Sequence, residues 1–217
     1  MTQPDALRNL LQSVAAGQLS PELAFEKLQG FEKPQVSQTK ANDFSQAQGY
    51  ETVGDFAKID HDRTQRTGFP EVIWGEDKTA EQIVEIMRVM EAQMASQGSA
   101  VMATRVNKEK SEKILAVLPQ VTYFEMARIC AIQPPFDSAQ GSVIVRPGKL
   151  SILTAGTADL PVAEEAAVTA ELCGFAVTRL WDVGVAGIHR LLSNRHVIAE
   201  SDVLIVAAGM EGALPSV

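Results

Sequence analysis

Strands and helices alternate along the second half of this chain, and this alternation limits its fold more than any other feature. From residue 99 onward, short apolar runs are separated by segments whose apolar residues follow helical spacing. The runs predict strands at 99–104, 121–127, 150–155, 175–181 and 203–208. The segments between them predict helices at 107–118, 160–173 and 185–193. Such an order is typical of a parallel sheet covered on both faces by helices, an open α/β sandwich.

The start of the chain predicts two short helices. Leucine and valine side chains at helical spacing predict a helix over 5–15. Ser20 is a typical N-cap for a second helix, which ends at Gly30. Residues 31–50 are rich in small polar side chains and predict a linker without assigned structure.

A strand and a long helix are predicted between the linker and the alternating half. The strand covers 71–74 and follows a segment dense in ionisable side chains. Thr79 and Gln82 have the spacing of a capping box, which predicts the start of the helix, and Gly98 predicts its end.

Composition narrows the functional classes. The chain has 19 Lys+Arg and 27 Asp+Glu, a formal net charge of −8, and so lacks the basic surface that nucleic-acid binding requires. No apolar run approaches the roughly 20 residues needed to cross a bilayer, and no signal-peptide pattern is visible. Two cysteines, Cys130 and Cys173, do not make a disulfide framework. We therefore expect a soluble, cytoplasmic protein that binds neither nucleic acid nor membranes.

The turn after the strand at 150–155 is the first candidate site. In open parallel sheets, ligands bind beyond the carboxyl ends of the strands. Gly156 permits a tight turn and close approach of a ligand, and Thr157, Ala158 and Asp159 open a helix whose dipole favours a phosphate. The same residues also suit an ordinary capped helix with Asp159 as its N-cap, and the spacing favours neither interpretation.

Two further turns carry ionisable side chains. Asp182 ends an apolar strand and His189 lies in the helix that follows, an arrangement typical of functional loops. The alternative makes Asp182 an N-cap and His189 a surface residue. After the last strand, Gly209 and Met210 precede Glu211, which could bind a metal, a cationic ring or a ribose hydroxyl, or could simply favour a helix start.

The three turns are expected to lie at one edge of the sheet, because the carboxyl ends of parallel strands do so. Their functional side chains would then converge on one cleft. These side chains are Thr157, Asp159, Asp182, His189 and Glu211. Cys173 is instead expected to be a buried small hydrophobe, and Cys130 has neither a neighbouring histidine nor a Cys-x-x-Cys partner.

Three segments of the chain match the motifs of a known family. They are 154–166 (Thr-Ala-Gly-Thr-Ala-Asp-Leu-Pro-Val-Ala-Glu-Glu-Ala), 182–191 (Asp-Val-Gly-Val-Ala-Gly-Ile-His-Arg-Leu) and 208–217 (Ala-Gly-Met-Glu-Gly-Ala-Leu-Pro-Ser-Val). The stretch from Asp60 to Gly75, which contains Arg66-Thr67-Gly68-Phe69-Pro70-Glu71, looks like the N-terminal signature of the same family. The chain resembles LarB, the pyridinium-3,5-biscarboxylic acid mononucleotide synthases of nickel-pincer cofactor assembly. Members have also been labelled circadian phase modifiers.

The resemblance implies a fold and a domain division. The family's C-terminal domain is similar to the purine-pathway carboxylase PurE, a three-layer α/β sandwich with a parallel sheet, preceded by a small helical or mixed region. We divide the chain into a helical hairpin with polar linker (1–50), an N-terminal α/β region (51–127) and an incomplete PurE-like nucleotide-binding domain (128–217). Relatives of this fold form octamers, so the resemblance implies a homo-oligomer.

The resemblance also implies a reaction. The family carboxylates the pyridinium ring of nicotinic acid adenine dinucleotide with carbon dioxide or bicarbonate and cleaves its phosphoanhydride to release AMP. The implied nucleotide-binding residues are Gly156, Thr157, Ala158, Asp159, Gly209 and Met210. The implied catalytic groups are Glu211, His189 and Asp182, with Glu211 also the ligand of a divalent cation, expected to be Mg²⁺.

One departure from the family's pattern concerns its catalytic cysteine, whose thiolate adds to the ring. In the family that cysteine lies beyond the segment that matches Val217, and neither Cys130 nor Cys173 lies in a matching motif. We therefore expect the last part of the fold to be missing, and carboxylation to fail if this chain is complete.

Two other functions stay open. One is a carboxylase acting on aminoimidazole ribonucleotide, which the replacement of the PurE family's turn motifs disfavours. The other is a non-catalytic regulator that binds a nucleotide, as the circadian label suggests.

Overall fold

The computed structural model describes Ser20, Leu23 and residues 50–97, 99–133 and 146–217. The described residues from 50 onward lie in one compact unit. In the other unit, the Leu23 amide donates to the Ser20 hydroxyl at 3.3 Å, which confirms Ser20 as an N-cap. The predicted helix over 5–15 lies outside the described residues, and so does the predicted linker over 31–50 except for Tyr50.

The first part of the compact unit contains a β-hairpin and a four-stranded sheet. Its elements are β1 (Tyr50–Val53), β2 (Ala57–Asp60), α1 (Arg63–Thr67), β3 (Val72–Trp74), α2 (Ala80–Gln97), β4 (Val101–Thr104), α3 (Lys108–Val117), β5 (Thr122–Phe124) and β6 (Ile129–Ile132). β1 pairs with β2, and the larger sheet has the order β3-β4-β6-β5. Ile83 and Met87 of α2 and Ile114 of α3 are fully buried in its core.

The two long helices of this part begin at capping side chains. The Gln82 amide donates to the Thr79 hydroxyl at 3.2 Å, and the Thr79 amide donates to the Gln82 side-chain oxygen at 3.0 Å. This confirms the predicted capping box of α2. Asn107 caps α3 by accepting a hydrogen bond from the Lys110 amide at 2.9 Å. The caps satisfy amides that each helix start would otherwise leave unpaired.

The four-stranded sheet is mixed, whereas the alternation of elements predicts parallel strands. β3 and β4 are parallel, because α2 crosses over between them, but β6 is antiparallel to both β4 and β5. β5 and β6 are joined by a tight turn, in which Arg128 has φ 53° and its amide bonds to the Glu125 carbonyl at 3.2 Å. So short a connection can join only antiparallel strands.

The second part of the unit is the predicted parallel sheet. Its elements are β7 (Lys149–Thr154), α4 (Leu160–Leu172), β8 (Ala176–Leu180), α5 (Ile188–Ser193), α6 (Arg195–Ala199) and β9 (Val203–Ala207). The order is β8-β7-β9, and both pairings are parallel. Ile152 of β7 clusters with Ala163 and Ala167 of α4, whereas the next residue, Leu153, clusters with Leu191 of α5. Successive side chains of a strand point to opposite faces, so helices cover both faces and the part has three layers.

Helix α4 connects the second sheet to the first. Val168 of α4 and Cys173 just after it share a buried cluster with Met102 of β4 and Ile129 of β6. The two sheets therefore lie in one continuous unit rather than in two separate ones.

Arg146 reinforces this junction. Its guanidinium lies 4.8 Å from the ring centroid of Phe69 and 5.5 Å from that of Phe175. It also donates hydrogen bonds to the carbonyl oxygens of Gly68 and Cys173. One side chain thus ties the segment before β3 to the end of α4, through cation–π contacts and charge-assisted hydrogen bonds.

Strand β9 is an edge strand of the second sheet and carries exposed apolar side chains. Val203, Leu204 and Ile205 are 53%, 41% and 37% exposed. A row of exposed apolar side chains on an edge strand is a surface suited to association.

Among the helices that the structure describes, none has the length and apolar character to span a membrane.

Candidate functional site

The carboxyl edge of the second sheet brings the three predicted turns together. β7 is the central strand, and its last residues pair in register with the ends of both neighbours, Leu153 with Leu180 and Thr154 with Ala207. The three strands therefore end side by side. Each predicted site residue lies on one of the turns that follow, or in the helix that the turn opens.

In the first turn, Asp159 caps its own loop. Its carboxylate accepts a hydrogen bond from the Gly156 amide at 2.9 Å. Gly156 has φ −146°, an extended backbone open to any residue, so the tight turn does not require glycine. The missing side chain instead leaves space, because a Cβ there would meet only Asp159, at 3.9 Å. Thr157 and Ala158 are exposed beside that space.

The second turn is bound to the first by three consecutive amides. The Asp182 amide donates to the Thr154 hydroxyl, the Val183 amide to the Thr154 carbonyl and the Gly184 amide to the Ala155 carbonyl, each at 2.9 Å. Glycine is required at 184, because a Cβ there would lie 2.5 Å from the Ala155 carbonyl oxygen. The two turns are thus held at a fixed distance from each other.

The second turn also holds an arginine at the sheet edge. Asp182 has φ 58°, in the left-handed region, and its carboxylate forms an ion pair with Arg190. Gly187 makes room for that guanidinium, since a Cβ there would lie 2.7 Å from Arg190 Nε. Nε is buried and has no hydrogen-bond partner among the described residues. The Arg190 side chain as a whole is 37% exposed, so the other donors of its guanidinium can reach an anionic ligand.

Arg190 is the functional candidate that the sequence prediction missed. The prediction chose Asp182 and His189 from the same motif, because an acid and a histidine are the usual catalytic side chains. The available signal was the spacing of the motif, in which an acid and a glycine precede the arginine by eight and three residues. Spacing alone does not show which of these side chains meet.

His189 and Glu211 are exposed, and neither side chain makes a hydrogen bond within the part of the chain that the structure describes. Met210 and Glu211 have φ 42° and 59°, and Met210 is 89% exposed. A Cβ at Gly209 would meet nothing within 4 Å. The third turn is therefore open to solvent, and no hydrogen bond joins Glu211 to the first two turns across residues 146–217.

A metal site is not built from protein side chains alone in the described ranges. No group of three or more His, Cys, Asp or Glu side chains is arranged to hold a metal ion there. Glu211 thus offers one carboxylate, which fits a cation such as Mg²⁺ only where substrate oxygens and water complete its coordination.

The charged signature segment has a structural explanation. Arg66 of α1 makes two hydrogen bonds to the Asp60 carboxylate, at 3.0 and 2.5 Å, and the Asp60 amide donates to the Glu71 carboxylate at 2.9 Å. The hydrogen bond from Arg66 lowers the pKa of the Asp60 carboxyl. His61 lies 2.9 Å from the Glu51 carboxylate. These pairs hold the path from β2 through α1 to β3.

Neither cysteine has the surroundings of a nucleophile. Cys173 is 8% exposed, which confirms its predicted burial, and Cys130 is fully buried. Burial raises the pKa of the Cys130 thiol to about 12 and raises that of Cys173 as well. Reactive cysteines instead have a lowered pKa and partial exposure.

Comparison with known proteins agrees with the fold. Residues 50–134, which hold the signature segment and the first sheet, match the model of the LarB/PurE-like N-terminal domain. Over 172 residues the chain is 36% identical to the uncharacterized protein MJ0165 of Methanocaldococcus jannaschii. That alignment covers 77% of this chain and 65% of the relative, so the chain spans less than two thirds of the relative's length. Residues 50–134 of this chain thus carry a LarB/PurE-like N-terminal domain, and the mixed α/β architecture is consistent with a PurE-like α/β fold.

Proposed function

We propose that this chain binds nicotinic acid adenine dinucleotide at the carboxyl edge of its second sheet. The reaction served is the LarB reaction, in which the pyridinium ring is carboxylated and AMP is released, leaving pyridinium-3,5-biscarboxylic acid mononucleotide. The observation that carries the proposal is the Arg190 guanidinium, held at that edge by Asp182 and by the space over Gly187. The match of residues 50–134 to a LarB/PurE-like N-terminal domain supports the reaction class.

Of the parts of the substrate, the diphosphate is the one that this edge of the sheet is best equipped to bind. The Arg190 guanidinium supplies charged donors, and the start of α4 after Asp159 supplies the positive end of a 13-residue helix. The spaces beside Gly156 and Gly209 allow the substrate to approach the backbone closely. Thr157 and Ala158 line the first of these spaces, and Met210 borders the second.

Cleavage of the phosphoanhydride would use the exposed groups of the second and third turns. The oxygen of a water molecule bonds to one phosphorus, and the bond from that phosphorus to the bridging oxygen breaks, which gives AMP and the mononucleotide. His189 would accept or return the proton. Glu211 would hold Mg²⁺ together with phosphate oxygens, and bound Mg²⁺ would offset the charge of the diphosphate. Asp182 would act by orienting Arg190.

Carboxylation needs a reactive thiolate, and neither described cysteine supplies one. The ring must first become electron-rich, which in this family follows the addition of a thiolate. Cys130 and Cys173 are buried thiols with raised pKa values. The described residues therefore support nucleotide binding and phosphoanhydride cleavage, and the thiolate is assigned to neither of them.

An assay of AMP release tests the proposal. The chain is incubated with nicotinic acid adenine dinucleotide, bicarbonate and Mg²⁺, and AMP and any carboxylated product are followed by chromatography and mass spectrometry. We expect AMP release that falls about tenfold or more in Arg190→Gln, because a charge-assisted contact is lost. Arg88→Gln, which removes an exposed arginine of α2 in the first part of the unit, is the matched control.

The same assay, together with a calorimetric titration of the dinucleotide, separates the rival functions. Binding of the dinucleotide without AMP release would favour a nucleotide-binding regulator. Turnover of aminoimidazole ribonucleotide, with none of the dinucleotide, would favour a purine-type carboxylase. Absence of both binding and turnover in the unmodified chain would contradict the proposal.

A further inference from the structure

The second turn is held by the hydroxyl of a fully buried threonine. Thr154, the last residue of β7, is fully buried. Its Oγ1 accepts the Asp182 amide hydrogen bond at 2.9 Å, and its carbonyl accepts that of Val183 at 2.9 Å. Among the described residues, Thr154 supplies the one side-chain acceptor for the Asp182 amide.

Asp182 needs such support because of its backbone conformation. Its φ of 58° lies in the left-handed region, which residues other than glycine seldom adopt. Conformations of this kind persist where the surroundings fix them, and they occur often at functional sites. The hydrogen bond from its amide fixes the backbone of Asp182 at one end, and the ion pair with Arg190 fixes its side chain at the other.

We propose that Thr154 is a positioning residue of the nucleotide site. Its hydroxyl holds Asp182 in the left-handed conformation, and Asp182 in turn holds the Arg190 guanidinium where the diphosphate binds. The proposal rests on the proposed function, because it assumes that Arg190 meets the nucleotide. Thr154 acts through two other residues and is itself closed off from the ligand.

Thr154→Val and Thr154→Ser separate the hydroxyl from the packing. Valine keeps the shape of threonine and removes the acceptor, whereas serine keeps the acceptor and removes a methyl group. The affinity of each chain for nicotinic acid adenine dinucleotide and for AMP is measured by calorimetry. Thr154→Val is expected to bind both at least about fivefold more weakly, and Thr154→Ser within about twofold of the unmodified chain.

Thr104→Val is the matched control. Thr104 also ends a strand and is buried, at 7% exposure, but it lies in the first sheet, and its hydroxyl makes no hydrogen bond among the described residues. Its variant is expected to bind as the unmodified chain does. Thermal unfolding of every variant is recorded, and if Thr154→Val does not fold, Thr154→Ala replaces it, since alanine removes the hydroxyl without adding a methyl group against the amide.

The outcomes are distinct. Weak binding by the folded valine variant with recovery by serine supports the positioning role, because a loss of packing alone would not be restored by the smaller residue. Equal affinity of the valine variant and the unmodified chain overturns the inference and leaves the proposed function intact. An unmodified chain that binds neither nucleotide overturns both.

Discussion

Arg190 shows how single residues build the candidate site. Three neighbours in one motif serve it: Asp182 pairs with the guanidinium, Gly187 leaves space beside Nε, and Gly184 allows the turn to lie against Ala155. Each of these residues has a steric or electrostatic role in placing the guanidinium, and each role can be tested separately. The motif is therefore better explained as the support of one arginine than as a set of independent catalytic groups.

Gly187→Ala is expected to weaken nucleotide binding. The new Cβ would lie 2.7 Å from Arg190 Nε, so the guanidinium must move. We expect about a tenfold loss of affinity for AMP, of the same order as in Arg190→Gln. The double variant should bind no more weakly than Arg190→Gln, because both changes act on one contact. Additive losses in the double variant would contradict this account.

The two thiols are expected to be unreactive in the folded chain. Burial raises the pKa of Cys130 to about 12 and also raises the pKa of Cys173, so both stay protonated at mildly alkaline pH. Iodoacetamide at about pH 8 should leave both unmodified in the native chain and modify both after unfolding in urea. Intact-mass measurement counts the adducts. Fast modification of either thiol in the native chain would contradict this prediction and make that thiol a candidate nucleophile.

The glycines and acids of the turns could be identified from the sequence, but their partners could not. Asp159, Asp182 and Glu211 stand out because they follow apolar strands. Their contacts depend on backbone angles, and the left-handed Asp182 and Glu211 belong to a region that residue type does not predict. For the same reason, Thr154 reads in the sequence as one more β-branched residue of a buried strand.

At the scale of elements, the sequence predicted best those features that depend on residues close together in the chain. The capping box at Thr79 and Gln82 and the strands of the second sheet are found as expected. Strand β6 was missed, because its four buried residues follow a tight turn without glycine or proline, in which Arg128 takes φ 53°. The antiparallel pairing of β6 is a consequence of that same turn.

The segment that runs from β2 through α1 to β3 is expected to lose stability at acid pH. The hydrogen bond from Arg66 lowers the folded-state pKa of Asp60 from its usual 3.8. A group whose pKa is lower in the folded state contributes stability that is present above about pH 3.8 and lost as the pH falls through the folded value. The melting temperature of Asp60→Asn should therefore fall less than that of the unmodified chain between neutral pH and about pH 3.

Asp55→Asn is the control for this prediction. Asp55 is exposed in the neighbouring hairpin turn and forms no ion pair among the described residues. Its variant should keep the full acid dependence. If Asp60→Asn and Asp55→Asn show the same loss of melting temperature on acidification, the ion pair with Arg66 does not contribute as described.

At the scale of the molecule, two sheets share one helix. Helix α4 carries the start of the candidate site at one end, packs on the second sheet along its length, and contributes Val168 to the cluster of the first sheet. Arg146 ties the other end of that helix to the segment before β3. The first sheet thus contacts the second part of the unit through α4, the helix that begins at the candidate site.

Strand β9 is expected to drive self-association. The exposed apolar side chains of this edge strand include Leu204, which is 41% exposed. A charge on an edge strand opposes pairing with another chain. Sedimentation velocity should show larger species as protein concentration rises, and Leu204→Lys should reduce them. Val117→Lys, which changes an exposed apolar residue of α3, should leave the larger species unchanged. If both substitutions reduce them equally, β9 is not the surface through which the chains associate.

The most direct test of the central claim is a calorimetric titration of the chain with nicotinic acid adenine dinucleotide. The claim is that the carboxyl edge of the second sheet binds this dinucleotide through Arg190. It predicts saturable binding to the unmodified chain, about tenfold weaker binding to Arg190→Gln and unchanged binding to Arg88→Gln. No binding to the unmodified chain, or equal binding to Arg190→Gln, would contradict it.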